Sequence, residues 1–192
     1  MKTIKTNRGL IFTLVLALGI TQGLFSQQVY KISTDEQSFK VLGTSTLHDW
    51  HMESSSAEGQ FNVVVTDGLP SFTASKISFI AETLKSGKRG MDKNAYKALK
   101  TDEYPNIEFT LSECSMESAT KGLATGKLII AGFTRDVTFK IEVEKSGSDF
   151  ILKGSTDFLL TDFQIDPPKA LMGTIKTGNA VTIEFNSTFK TI

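Results

Sequence analysis

The sequence predicts an all-β domain of antiparallel strands, arranged as a sandwich or an up-and-down barrel, with one or two short helices. Three observations predict it. Apolar and polar residues alternate over several separate stretches, the pattern of strands dry on one face and wet on the other. Turn-forming pairs such as Asp67-Gly68 punctuate those stretches. The aromatic content is also lopsided, with 14 Phe against 3 Tyr and 1 Trp. Phe carries no polar handle, so a chain rich in it fills or lines an apolar interior.

The first 26 residues read as a secretory leader rather than as part of the fold. Lys2, Lys5 and Arg8 precede an apolar run from Leu10 to Ile20, and small and polar residues follow to Ser26. As a helix that run spans about 16 Å at ~1.5 Å per residue, against a hydrocarbon core of roughly 30 Å. The expectation is therefore cleavage near Ser26, a domain over residues 27–192, and a periplasmic or secreted protein. Loss of the leader removes three basic residues of 21 and no acidic ones, leaving a slightly acidic chain.

Beyond residue 28 the elements follow in order. Phe61, Val63 and Val65 alternate with polar or outward neighbours, as do Ile77, Phe79 and Ala81. Met91, Ala95, Ala98 and Leu99 then fall at helical offsets, which predicts a short helix at about 91–100, stopped before Pro105. Strand alternation resumes at Ile107, Phe109 and Leu111, continues through Leu128 and Ile130, and is cleanest at Val137, Phe139, Ile141 and Val143. Asp166-Pro167-Pro168-Lys169-Ala170-Leu171-Met172-Gly173 cannot be a central strand, because consecutive prolines lack ladder donors. Its Leu171 and Met172 predict a loop that covers something apolar. Val181, Ile183 and Phe185 close the series. Further turns are expected at Lys121-Gly122, Gly147-Ser148-Asp149 and Thr177-Gly178-Asn179.

Composition excludes several functions. Basic and acidic residues balance at 21 each, so no electrostatic footprint for nucleic acid exists. No P-loop, Gly-x-Gly-x-x-Gly or Gly-x-Ser-x-Gly is found, and no cofactor is implied. Cys114 is a lone thiol without a partner at disulfide or metal spacing. Three Tyr and one Trp cannot build the aromatic girdles of an outer-membrane barrel. His48 and His51, separated by Asp49 and Trp50, invite a metal-binding or hydrolytic reading. Residues three apart on a strand point to opposite faces, so that reading needs a turn there; the competing one is a turn steadied by Asp49 and the Trp50 ring. Lys85, Lys88, Arg89, Lys93, Lys97 and Lys100 cluster around the helix, either as a solvated face or as an attraction for a phosphate headgroup or a membrane surface.

Taken in order, Ser38-Phe39-Lys40-Val41, Gly43-Thr44-Ser45-Thr46-Leu47-His48-Asp49-Trp50, Met91-Asp92-Lys93-Asn94-Ala95-Tyr96, Tyr104-Pro105-Asn106-Ile107-Glu108-Phe109, Gly132-Phe133-Thr134-Arg135-Asp136-Val137 and Thr161-Asp162-Phe163-Gln164-Ile165-Asp166-Pro167-Pro168 resemble the YceI-like family of exported polyisoprenoid-binding, lipocalin-like proteins. The resemblance runs from about residue 29 to 190. It implies an antiparallel eight-stranded lipocalin-like barrel with an apolar tunnel for a long isoprenoid or other lipid chain, without catalysis or metal. It implies no particular site residue. The inward face of the alternating strands supplies the candidates: Phe79, Phe109, Leu111, Phe139, Ile141, Ile183 and Phe185 as lining, with Met91, Leu171 and Met172 near a mouth. The expected partners are the lipid and, transiently, a membrane, with the protein a monomer or homodimer.

Overall fold

The computed structural model describes residues 28–66 and 69–192. The leader expected over residues 1–26 and the Asp67-Gly68 turn lie outside the described residues. Ten strands and one α-helix are formed among them: β1 (Gln28–Ser45), β2 (Trp50–Ser54), β3 (Glu58–Thr66), β4 (Leu69–Ile80), α1 (Arg89–Leu99), β5 (Asn106–Met116), β6 (Lys121–Ile130), β7 (Phe133–Ser146), β8 (Asp149–Leu159), β9 (Lys169–Ala170) and β10 (Ile175–Thr191). β1, β3 to β8 and β10 are antiparallel neighbours, and pairing of β1 with β10 closes them into an eight-stranded barrel. β2 continues the line of β3: β3 pairs with Gln28–Lys31 of β1, and β2 with Phe39–Gly43. β9 is a two-residue strand on the start of β10.

The alternation sets which face is dry. On β7, Val137, Phe139, Ile141 and Val143 are buried while Thr138, Lys140, Glu142 and Glu144 are exposed, so the polar face of the barrel is the outer one. Two turns expected from sequence are instead strand. Gly122 lies inside β6, because Ser118 Oγ accepts from the Thr120 and Lys121 N–H groups and completes the turn before Lys121. Thr177-Gly178-Asn179 lies inside β10, where the missing side chain of Gly178 leaves room for the Thr44 hydroxyl, 2.4 Å from where a Cβ would stand.

The two ends of the barrel differ. At one end short hairpins join the strands, and Tyr30, Phe61, Phe72, Phe150 and Phe189 are all buried there. Their rings meet at centroid distances of 4.4 Å (Phe61–Phe189), 5.0 Å (Tyr30–Phe150) and 5.1 Å (Phe61–Phe72), forming a floor of aromatic contacts. At the other end lie the β1–β2 turn and the long connections carrying α1 and β9.

α1 starts two residues before the expected position and ends one residue before it. Met91, Ala95, Ala98 and Leu99 pack against the core cluster, while Lys93, Asn94 and Lys97 face water. Lys100 stops it in the left-handed conformation (φ 54), its N–H turned back to the Lys97 and Tyr96 carbonyls. Tyr96 fastens the helix to the barrel: its hydroxyl hydrogen is shared between the Glu82 and Leu84 carbonyls (2.9 and 2.8 Å), and its oxygen accepts from Lys85 Nζ at 2.7 Å. Lys85 in turn pairs backbone to backbone with Glu53, which seals the edge of β2.

Between β2 and β3 the chain leaves strand geometry, and Gln37 repairs the gap. Its Nε2 donates to the Ala57 carbonyl at 3.0 Å and its Oε1 accepts the Ala57 N–H at 2.8 Å. Ser187, by contrast, faces inward between Phe185 and Phe189 with its hydroxyl buried and unpartnered. An orphaned buried polar group costs about 1–3 kcal/mol. Gln37→Ala should therefore destabilise the fold by about 1–3 kcal/mol, while Ser187→Ala should leave it unchanged or raise its stability by about 1 kcal/mol. Urea unfolding of the two variants checks both signs.

Candidate functional site

The barrel encloses a cavity of about 910 Å³, near the upper end of the roughly 300–1,000 Å³ common for small-molecule sites. Its waist is a belt of phenylalanines contributed by β1, β4, β5, β7 and β10. Phe39 lies 5.8 Å from Phe79 and 6.1 Å from Phe185, Phe185 lies 5.7 Å from Phe139, and Phe139 lies 5.3 Å from Phe109, by ring centroids. The rings touch along the wall rather than meeting across the middle. Val41, Met52, Ile77, Leu111, Ile141 and Ile183 fill the gaps between them. Cys114 also lines the space, and burial pushes its thiol pKa up, so it stays protonated and apolar in character.

Three segments frame the open end: the β1–β2 turn with Leu47 and His48, the start of α1, and residues 168–171. Ser45 holds the first of these. Its Oγ donates to the His48 carbonyl at 2.8 Å and accepts from the Leu47 and His48 N–H groups at 3.2 Å. This turn is thus steadied by the Ser45 hydroxyl, and no hydrogen bond or ion pair of the Asp49 carboxylate contributes among the described residues. Trp50 follows, lining the cavity, its Nε1–H donated to the Thr44 carbonyl at 2.8 Å. The indole lies flat against Gly43, where a Cβ would fall 2.3 Å from the ring. Before α1, Asp92 Oδ1 accepts from both the N–H and the hydroxyl of Ser86, at 2.8 and 2.6 Å. The Ser86 hydroxyl, reinforced by the Ser86 N–H and the Lys85 charge, holds the Asp92 carboxyl below the usual range against some opposing desolvation.

Of the ten residues expected at the site, Phe79, Phe109, Leu111, Phe139, Ile141, Ile183 and Phe185 lie on the cavity wall, and Met91 and Leu171 lie at its mouth. Met172 does not. It is fully exposed, on the Leu171–Gly173 turn in which both Leu171 (φ 48) and Met172 (φ 53) take the left-handed conformation. Sequence reading passed over Phe39, Val41, Trp50 and Met52, although Phe39/Val41 and Trp50/Met52 each keep period two. His48 and His51 are not brought together. His51 is on the outer face with Nε2 3.6 Å from Glu53 Oε1, and His48 is on the rim with Nδ1 2.6 Å from the Asp49 carbonyl. No group of three or more His, Cys, Asp or Glu side chains at metal-holding distance occurs among the described residues.

The YceI-like domain family matches residues 30–189. No curated protein matches the chain. Among solved structures, BcnA of Burkholderia cenocepacia superposes with a TM-score of 0.71 at 15% identity, covering 82% of this chain and 98% of its own. A polyisoprenoid binding domain from Saccharophagus degradans, implicated in plant cell wall breakdown, gives 0.63 at 9% identity over 87% of this chain and all of its own. A Campylobacter jejuni YceI protein gives 0.54 at 15% identity over 69% and 81%. At these identities the structural likeness establishes the barrel and nothing finer.

Two outcomes follow from the mouth geometry. Gly43→Ala should force the Trp50 ring off the wall, costing about 1–3 kcal/mol as an overpacking change. Since Trp50 is the sole tryptophan, its fluorescence maximum should shift in the same variant. Asp92 has a depressed folded pKa, so its contribution is present above the ordinary aspartate range and is lost as the pH falls through that depressed value. Protection against hydrogen exchange over residues 86–92, taken relative to the intrinsic rate at each pH, should therefore fall on acidification in the wild type, and Asp92→Asn should start weakly protected and lose that step.

Proposed function

The chain belongs to the YceI-like domain family, and from that premise we propose that it is an exported lipid-binding protein holding a long isoprenoid or similar acyl-type chain in the barrel, for carriage, storage or sequestration. The observation that carries this reading is the cavity itself: closed by aromatic rings at one end, open at the other, and walled by apolar side chains between. That shape suits a slim chain inserted end-on. Removal of such a chain from water supplies roughly 0.8 kcal/mol per methylene before ordering costs are subtracted. The naming of the Saccharophagus degradans domain as polyisoprenoid-binding supports the same class of ligand.

The leader-like residues 1–26 support an exported protein. Exposed apolar side chains support a transient membrane contact for loading. Leu47 and Leu171, 65% and 70% exposed, project from two of the three segments around the mouth, with Met172 beside them. A barrel touching a bilayer there would meet it mouth first, so a lipid could pass from one apolar phase to the other.

Native mass spectrometry of the mature protein from a periplasmic fraction, with organic extraction, tests the proposal. A copurified lipid of defined mass is the expected result. Phe139→Asp, which puts a charge in the waist, should abolish copurification, whereas Glu142→Ala on the outer face should retain it. A wild-type protein that stays lipid-free even after lipid add-back, or equal retention in the two variants, would overturn the reading.

A further inference from the structure

The charged side chains that line the cavity at its mouth are all basic, and the Asp92 carboxylate in the first turn of α1 is turned to Ser86 instead. Lys88, Lys93 and Lys169 lie on the cavity wall, and no aspartate or glutamate does. Lys40 also borders the space, but its ammonium is spent on Glu53 at 2.8 Å on the outer face. Lys76, Lys121, Lys127 and Lys190 likewise have carboxylates within 4 Å elsewhere on the barrel. Lys88, Lys93 and Lys169 have none among the described residues. Lys88 Nζ instead lies 3.5 Å from His48 Nε2, which places it against the β1–β2 turn.

These groups come from separate parts of the fold and border one cavity because of where its connections run. Lys88 and Lys93 bracket the first turn of α1, and Lys169 comes from β9. Between the two helix lysines, Gly90 borders the cavity with open space where a side chain would stand. α1 also begins without a side-chain cap, so the positive end of its dipole adds to the same field. The floor of the barrel is shut by rings, so a chain inserted through the mouth leaves its polar end among these cations.

We propose that the mouth is an oxyanion site: the amphiphile held in the barrel carries a phosphate or carboxylate head, bound by Lys88, Lys93 and Lys169. This rests on the lipid-binding reading and adds the head to it. A neutral head would leave these three ammonium groups at the opening without a counter-charge. An oxyanion there accepts charge-assisted hydrogen bonds and supplies that charge.

The test is a titration of the delipidated protein, followed by Trp50 fluorescence, with pairs that share a chain and differ in head: geranylgeraniol against geranylgeranyl phosphate, and hexadecanol against hexadecanoate. Inorganic phosphate is the chain-free arm. In at least one pair the anion should bind about tenfold or more tightly than the alcohol, the usual worth of a hydrogen bond to a charged group, and added salt should shrink the difference. Combining Lys88→Gln, Lys93→Gln and Lys169→Gln, all at exposed positions, should bring the anion down to the alcohol while the alcohol is unaffected. Equal binding within both wild-type pairs, or a preference that survives in the triple variant, would overturn the head site and leave the lipid reading standing. Binding of inorganic phosphate as tight as that of geranylgeranyl phosphate would overturn the amphiphile in favour of a free-anion site. Failure of all four amphiphiles to bind would overturn the lipid reading itself, and the head site with it.

Discussion

Pairing of β1 with β10 is the contact on which the rest of this molecule depends. It runs from Tyr30 opposite Thr191 to Ser45 opposite Thr177, and it turns a sheet with two free edges into a ring with none. Closure fixes one face of every strand as interior, and an eight-stranded ring is just wide enough to be filled by side chains or to hold one slim guest. Which of these it becomes is decided by what the strands project inward. At the floor they project rings that meet across the barrel. At the waist they project rings that touch only along the wall, and Gly126 and Gly154 stand inward beside Phe109 and Phe185 with no side chain to fill the middle.

An apolar space of this size has energetic consequences. A closed, empty void of that size in a packed core would be strongly destabilising. Such a space is compatible with a stable fold when its wall is built independently of its contents and its contents can enter. Both conditions are met. The strand ladders run around the cavity rather than through it, and the mouth is framed by connections held by local hydrogen bonds from Ser45, Tyr96 and Asp92. An apolar guest then gains contacts that the wall cannot supply to itself.

Much of this was legible in the sequence because side-chain parity is unbroken where the signal was strongest. β6, β7, β8 and β10 keep one parity inward from end to end, so Val137 to Val143 and Val181 to Phe185 declare their face directly. β1 does not. Tyr30 and Ile32 face inward, then the register slips against β10 between Ile32 and Gln37, and Phe39, Val41 and Gly43 take over on the opposite parity. The same switch separates Met52 and Ser54 from Phe61 and Val63 at the break bridged by Gln37. A period-two reading carried across such a break cancels itself, which is why the first strand did not read as one element and the two-residue runs Phe39/Val41 and Trp50/Met52 beside the breaks were too short to stand out.

The mouth was less legible for a different reason. Its residues sit on connections, where no period relates neighbours and each side chain's direction is set by one pair of backbone angles. Leu171 and Met172 are adjacent, both apolar and both on one turn, and only the first reaches the cavity. The three lysines show the reverse case. Lys88 and Lys93 read in sequence as part of a mixed helix surface, and Lys169 as a loop charge next to prolines. Only closure of the barrel, which sets the β8–β10 connection and the start of α1 on the border of one cavity, makes them a single electrostatic feature. Charge density along the chain therefore pointed to the right helix, but the sign and unity of the site are properties of the closed ring.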